Sequence, residues 1–77
     1  MEELLKRIAV NPKVMVGKPV IRGTRITVEH IMRILASGAT PAEIVDMYPH
    51  LAHDDVRAAC AYAAARFAEE RIVLAAE

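Results

Sequence analysis

The sequence predicts a mainly α protein, a three-helix, helix-turn-helix-like core preceded by short N-terminal β-strands. Three observations carry that expectation. Short β-prone runs fill residues 8–26, broken by Asn11-Pro12, Gly17-Lys18-Pro19 and Gly23. The apolar spacing then changes to a helical one at Val28, Ile31, Met32 and Leu35, which fall at i, i+3, i+4 and i+7. A well-marked second helix start at Thr40 and an alanine-rich third segment from His53 complete the set.

Taken in order, Ile8-Ala9-Val10, Val14-Met15-Val16, Val20-Ile21 and Thr24-Arg25-Ile26 are the expected strands. Runs this short do not stand alone in water and need pairing, within the chain or across a dimer. Thr27 then serves as N-cap and Gly38 as the residue just past the end of a helix over 28–37. Thr40-Pro41-Ala42-Glu43 is a capping box with proline at the first helical position. Ile44, Val45 and Met47 supply the apolar side of this second helix, and Pro49 disfavours helical geometry at Tyr48, giving a span of 41–48. The third helix begins near His53, with Asp54 and Asp55 in a first turn where the helix dipole favours negative charge. Val56, Ala59, Cys60, Ala63 and Phe67 form its expected apolar stripe, and nothing interrupts it before about Ile72. The tight connection between the second and third helices is what resembles a helix-turn-helix.

All of this fits one domain over residues 1–77, with strands and turns at 8–26 and helices within 28–74. Hydrophobic residues make up 55% of the 77, but 14 of them are alanine, and seven of those fall within Ala58–Ala68. Alanine favours helix and lets backbones approach closely, yet it buries little area. So small a core implies that a second chain supplies part of the burial, and a homodimer is expected.

The single cysteine, Cys60, excludes an internal disulfide and fits a reducing compartment; on the apolar stripe it reads as a small buried hydrophobe. No window approaches the roughly 18 apolar residues of a membrane span, and the first residues lack the apolar region of a signal peptide. The expected location is the cytoplasm, without membrane contact. Net charge is zero but unevenly distributed: residues 1–38 carry seven basic and three acidic side chains, residues 39–77 three and seven. Such a split steers an anionic partner to one end only, or serves contacts between chains.

Gly17-Lys18-Pro19-Val20-Ile21-Arg22-Gly23-Thr24-Arg25-Ile26 is too particular for a generic strand. It resembles the signature of the domain of unknown function 433 family. The likeness continues through Gly38, Thr40-Pro41-Ala42-Glu43-Ile44, Tyr48-Pro49-His50-Leu51 and Ala58–Ala64, over roughly residues 7–65. The resemblance implies a homeodomain-like three-helix fold and an antitoxin of the type II toxin–antitoxin kind, similar to the VapB class, with a PIN-like ribonuclease toxin as partner. Two positions depart from the family's pattern. Ala52 stands where serine or threonine is common, so the third helix lacks its usual side-chain cap. Val16 stands where a second glycine is common, a change expected to be neutral.

Four basic residues are the candidate contacts to nucleic acid or to a partner: Lys18, Arg22, Arg25 and, on the third helix, Arg57. Guanidinium groups suit bidentate contact with phosphate or carboxylate. The alternative is that Gly23 and Thr24 shape a turn which the arginines stabilise through carbonyls or acidic partners. Clustering of Lys18, Arg22 and Arg25 on one face would favour nucleic acid, whereas dispersal into internal ion pairs would favour a protein-interaction module. A second candidate set is the tail: Phe67, Ile72, Val73 and Leu74 form an apolar edge suited to docking in a partner's groove.

Other chemistries fit poorly. Gly17-Lys18 is followed by proline and lacks the rest of a phosphate-binding loop. His50 and His53 straddle a helix start without a further imidazole or a cysteine pair, which is weak geometry for a metal. No cofactor and no enzymatic activity are expected. The leading expectation is an antitoxin-like protein that neutralises a PIN-like toxin, with operator DNA as a further contact. The alternative is a stand-alone structural or protein-interaction module that never touches DNA.

Overall fold

The computed structural model describes residues 1–68. The order of elements is α1 (Glu2–Leu5), β1 (Ile8–Ala9), a 3₁₀ turn (Met15–Gly17), β2 (Val20–Ile21), α2 (Val28–Ala36), α3 (Pro41–Met47) and α4 (His53–Ala68). The two strands pair antiparallel, Ile8 opposite Ile21 and Ala9 opposite Val20, and Val20 makes a further bridge to Thr27. The mainly helical class with a short N-terminal sheet is therefore the observed one.

Caps place the helices where the sequence marks them. The Thr27 hydroxyl accepts the His30 N–H at 2.9 Å and starts α2. At the other end Ser37 is the C-cap, and Gly38 follows at φ +107°, a conformation that glycine adopts at little cost and residues with a Cβ do not. The Gly38 N–H donates to Leu35 O and the Ala39 N–H to Ile34 O, both bonds of a Schellman motif. Both halves of the capping box form in α3: Glu43 N–H to the Thr40 hydroxyl at 3.1 Å, and Thr40 N–H to the Glu43 carboxylate at 2.7 Å. Tyr48 leaves the helix at φ −126°, ψ 81°, as expected of a residue before proline.

The core lies where α4 meets α1, α2, α3 and β1. Ile31, Ile44 and Val56 are its largest fully enclosed side chains, and each contributes about 1.5–3 kcal/mol by leaving water. Leu51, in the α3–α4 connection, turns inward and joins them. Ala58, Ala59 and Ala61 are buried on α4, so the alanines do admit close approach of the neighbouring elements.

The first third corrects several expectations. The chain opens with a single helical turn, α1, which the sequence reading does not anticipate; Glu2 and Glu3 sit favourably at its N-terminus and Leu4 packs on the core. Val10 is exposed and falls outside β1. Val14-Met15-Val16 is not a strand. Met15, Val16 and Gly17 all take positive φ, at 50°, 57° and 76°, closing a left-handed turn in which Gly17 N–H donates to Val14 O and Lys18 N–H to Met15 O. Val16 in that conformation is strained, so its presence in place of glycine is not neutral.

Thr24-Arg25-Ile26 is likewise a turn, not a strand. The Thr24 N–H and hydroxyl both donate to Ile21 O, and the same hydroxyl accepts from Ile26 N–H. Gly23 at φ +82° permits the reversal. On α4, Cys60 is exposed rather than buried. The buried face runs through Asp55, Val56, Ala58, Ala59 and Ala61, which rotates Cys60 out of the stripe assigned to it.

Candidate functional site

Around the strands, most of the candidate basic residues have internal partners. Lys18 Nζ donates to Glu29 Oε1 at 3.1 Å, and Arg33, one turn further along α2, reaches Glu29 Oε2 at 2.9 Å. The hydrogen bond and charge of Lys18, followed by the charge of Arg33, hold the Glu29 carboxyl below its ordinary range. Arg22, directly after β2, acts as a clamp onto the start of β1 and the two residues before it. Its backbone N–H donates to Arg7 O at 2.7 Å, its Nε to Lys6 O at 2.9 Å and its Nη2 to Ile8 O at 3.1 Å. Arg57 turns along its own helix to Asp54 at 3.1 Å.

Arg25 differs from these three. Among the described residues its side chain has no ion pair or hydrogen bond. It stands between two shallow depressions. One, of roughly 430 Å³, is bordered by Asn11, Val14, Val20 and Thr24; the other, of roughly 320 Å³, by Met15, Ile26, Thr27, His30 and Tyr48. In the second, His30 Nε2 and the Tyr48 hydroxyl are 2.9 Å apart, joining the start of α2 to the end of α3. The fold thus disperses the basic set: Lys18, Arg22 and Arg57 are engaged internally, and Arg25 is left on the surface.

Arg7, which sequence reasoning does not single out, and Asp55, expected there only as a first-turn acid, organise the start of α4. Arg7 Nη1 meets Asp55 Oδ1 at 3.1 Å, and its Nη2 lies 3.8 Å from Asp54. Asp55 Oδ2 accepts the Ala52 N–H at 2.8 Å. That bond is the reciprocal half of a capping box, so Asp55 partly replaces the cap that Ala52 cannot provide. The i+3 spacing of Ala52 and Asp55 is a local signal for it; the Arg7 contact, 48 residues away, has none.

An apolar groove of roughly 400 Å³ runs between the beginning of α2 and the last turns of α4. Pro19, Val28 and Met32 line one side, Tyr62, Ala63 and Phe67 the other, with Glu29 and Arg66 at its mouth. Phe67 is 59% exposed, unusual for a phenylalanine in so small a protein. Of the tail residues expected to meet a partner, Phe67 therefore borders an open apolar surface, while Ile72, Val73 and Leu74 lie outside the described residues. A second apolar depression, roughly 360 Å³, lies on α4 beside Met1, Leu4 and Pro41, with Cys60 on its border.

Among the described residues, no group of three or more His, Cys, Asp or Glu is placed to hold a metal ion. His50 instead makes an edge-on ring contact with Tyr48, centroids 6.5 Å apart. No helix among the described residues is long and apolar enough to cross a membrane.

Comparison with known proteins agrees with this architecture. A crystal structure of a DUF433 member protein from Anabaena variabilis superposes with a TM-score of 0.78 at 31% identity, over 88% of this chain and 67% of that one. A protein of Archaeoglobus fulgidus, named only as uncharacterized, is 60% identical over 30 residues, which is 39% of this chain and 83% of that protein. The family model described as "Protein of unknown function (DUF433)" matches residues 8–63, most of the chain. The signature strand-and-turn segment, α2, α3 and the larger part of α4 fall inside that match, and the chain belongs to the DUF433 family.

Proposed function

We infer that this protein is an antitoxin-like, non-enzymatic binding protein, cytoplasmic and homodimeric, that neutralises a PIN-like ribonuclease toxin. The observation that carries the reading is the open apolar groove at the end of α4, bordered by the exposed Phe67. Apolar surface of this kind, left open by the described residues in a chain whose sequence goes on to the further apolar residues Ile72, Val73 and Leu74, suits a protein partner. The family signature and its resemblance to antitoxins supply the class of partner.

Operator DNA takes second place, and a specific observation puts it there. Phosphate contact draws on several unengaged cations acting together. Of the four candidate residues, Lys18 serves Glu29, Arg22 serves two carbonyls and Arg57 serves Asp54, which leaves Arg25. The arrangement supports a protein-interaction module over a DNA reader.

Co-expression with the product of the adjacent reading frame tests the reading. Relief of that product's toxicity is the expected result; absence of a toxic neighbour, or no relief, overturns it. A gel shift with the protein's own promoter at low salt tests the operator contact separately, and no shift, alone or with the partner, removes it.

A further inference from the structure

We propose that Arg25 and the Tyr48 hydroxyl together form a site for one carboxylate on a protein partner, an acidic side chain whose apolar neighbour covers Met15 and Val16. The inference goes beyond the groove at α4 and does not depend on the antitoxin reading.

Charge selects the ligand. Arg25 is exposed, and among the described residues its side chain has no ion pair or hydrogen bond. No aspartate or glutamate among the described residues lines either depression beside it. Glu29, next to His30 in sequence, already holds Lys18 at 3.1 Å and Arg33 at 2.9 Å. The positive charge of Arg25 is therefore left without a counterpart. One free guanidinium matches one carboxylate through two parallel N–H···O bonds, whereas a nucleic-acid backbone draws on several free cations.

The depression of roughly 320 Å³ supplies a second donor. Tyr48 is half-buried there, its ring flanked edge-on by His30 at 6.1 Å and His50 at 6.5 Å. Its hydroxyl lies 2.9 Å from His30 Nε2. A tyrosine hydroxyl accepts as well as donates, so when Nε2–H donates to it the hydroxyl proton is free to donate outward. A carboxylate in the depression selects that tautomer of His30 and receives the Tyr48 O–H beside the Arg25 fork. Met15 and Ile26 form the apolar part of the same wall.

Strain and shape identify the partner as a protein. Met15 and Val16 hold φ at 50° and 57°, and Val16 is 93% exposed, so contacts within the fold do little to offset the strain. Strained backbone of this kind clusters where a ligand is clamped. Met15 lines the carboxylate site and Val16 follows it, so an apolar residue beside the acid lands on both. A small-molecule pocket encloses about 70–90% of its ligand; a shallow depression leaves one side open, as a contact between macromolecules does.

NMR titration of the isotope-labelled full chain tests the site, with the capped peptide acetyl-Leu-Glu-Leu-amide as probe and its glutamine counterpart and inorganic phosphate as comparisons. Expected are saturable shifts of the Arg25 Nε–H and Tyr48 ring signals with a millimolar Kd, and binding of both comparisons weaker by at least about tenfold. Read at Tyr48, Arg25→Gln should weaken the glutamate peptide about tenfold; Tyr48→Phe, read at Arg25, should weaken it about threefold. Arg25→Gln loses no bond among the described residues, so its effect does not hinge on folding. Val16→Gly should lower affinity about twofold while raising Tm, opposite signs that a damaged fold does not produce. Absence of a saturable shift at Arg25, or equal binding of the glutamine peptide, overturns the site. Phosphate bound as tightly as the glutamate peptide overturns the carboxylate assignment and returns Arg25 to the nucleic-acid reading. Affinity that Val16→Gly leaves unchanged overturns the apolar half of the contact. No toxin enters the titration, so the antitoxin reading is judged separately, by co-expression.

Discussion

Around β1 and β2 the polar side chains are consumed by the fold, whereas at the C-terminal end of α4 the apolar ones are left open. The contrast runs against the usual allocation, in which charges meet solvent or ligands and apolar groups close the core. Its cause lies in how little regular structure the first third contains. Two strands of two residues each provide few ladder bonds, so carbonyls of Lys6 and Ile8 are satisfied by the Arg22 guanidinium instead. At the other end, the groove between α4 and α2 stays open among the described residues, and Phe67 on its wall is 59% exposed. Basic residues in a signature are thus no guide to binding until their partners are known.

If charges near the strands hold the fold, removing them should cost stability, and the largest cost belongs to Asp55. Its carboxylate is nearly buried, caps α4 through Ala52 N–H and pairs with Arg7. Asp55→Ala removes the cap and leaves Arg7 with only the more distant Asp54, for a loss of about 3 kcal/mol, tempered by the partial exposure of Arg7. Urea denaturation measures it, and a loss below about 1 kcal/mol would show that the contact does not hold α4 in place. Next comes Arg22→Met, which keeps the aliphatic stem and removes the bonds to Lys6 O and Ile8 O. The expected loss is about 2 kcal/mol, since bonds from a charged donor to partly buried carbonyls are worth more than neutral ones. A neutral result would return Arg22 to the list of free binding residues.

How far the sequence reveals this contrast depends on the range of the interactions involved. Thr27, Gly38 and the Thr40–Glu43 box act within four residues, and each forms the cap its position indicates. The Val28 and Ile31 stripe is legible for the same reason. Arg22 is not, because its carbonyl partners lie 14 and 16 residues away and no local pattern encodes them. Val14-Met15-Val16 misleads because three β-prone letters look alike in a strand and in a turn. Here Val14 N–H bonds back to Asn11 O and commits the chain to reversal. Cys60 misleads by phase: the alanines around it fit several helical registers, and Asp55, through its tie to Arg7, belongs to the face that turns inward.

The turn at Met15–Gly17 provides a smaller test of the same strand region. Val16 is 93% exposed at φ +57°, so it makes almost no contact that would offset the strain of a β-branched residue there. Relief on changing to glycine is about 1–2 kcal/mol, and the added freedom of the unfolded chain takes back roughly half. Val16→Gly should therefore stabilise the protein by about 0.5–1 kcal/mol, a rise of several degrees in Tm for a domain of this size. A fall in Tm would mean that the valine is held by contacts on a partner.

Arg25 marks the edge of the contrast. With no bond to lose among the described residues, Arg25→Ala should change stability by less than about 0.5 kcal/mol, well below Arg22→Met at three residues' distance. If operator DNA is bound, the same variant should weaken it and lower the salt dependence by about one counterion. Unchanged affinity and unchanged salt slope would place Arg25 outside the DNA contact and leave the protein-interaction reading of this face.

The smallest effect comes from Glu29, where the two regions meet: it ties Lys18 and Arg33 together and borders the groove. Lys18 first and Arg33 second hold its carboxyl below the ordinary value of 4.5. A lowered pKa in the folded state means that the folded protein binds this proton less readily than the unfolded chain. Its contribution is therefore complete above pH 4.5 and is lost as the pH falls through the lowered value. Comparison of Tm for the protein and Glu29→Gln over an acid titration should show a small gap near neutrality that closes in this window. Added salt should narrow the gap at neutral pH as well, because the pairs are exposed and readily screened. A gap that persists into strong acid would assign Glu29 a role other than ion pairing. A gap that salt leaves untouched would mean that the border of the groove is less open to water than Phe67 beside it.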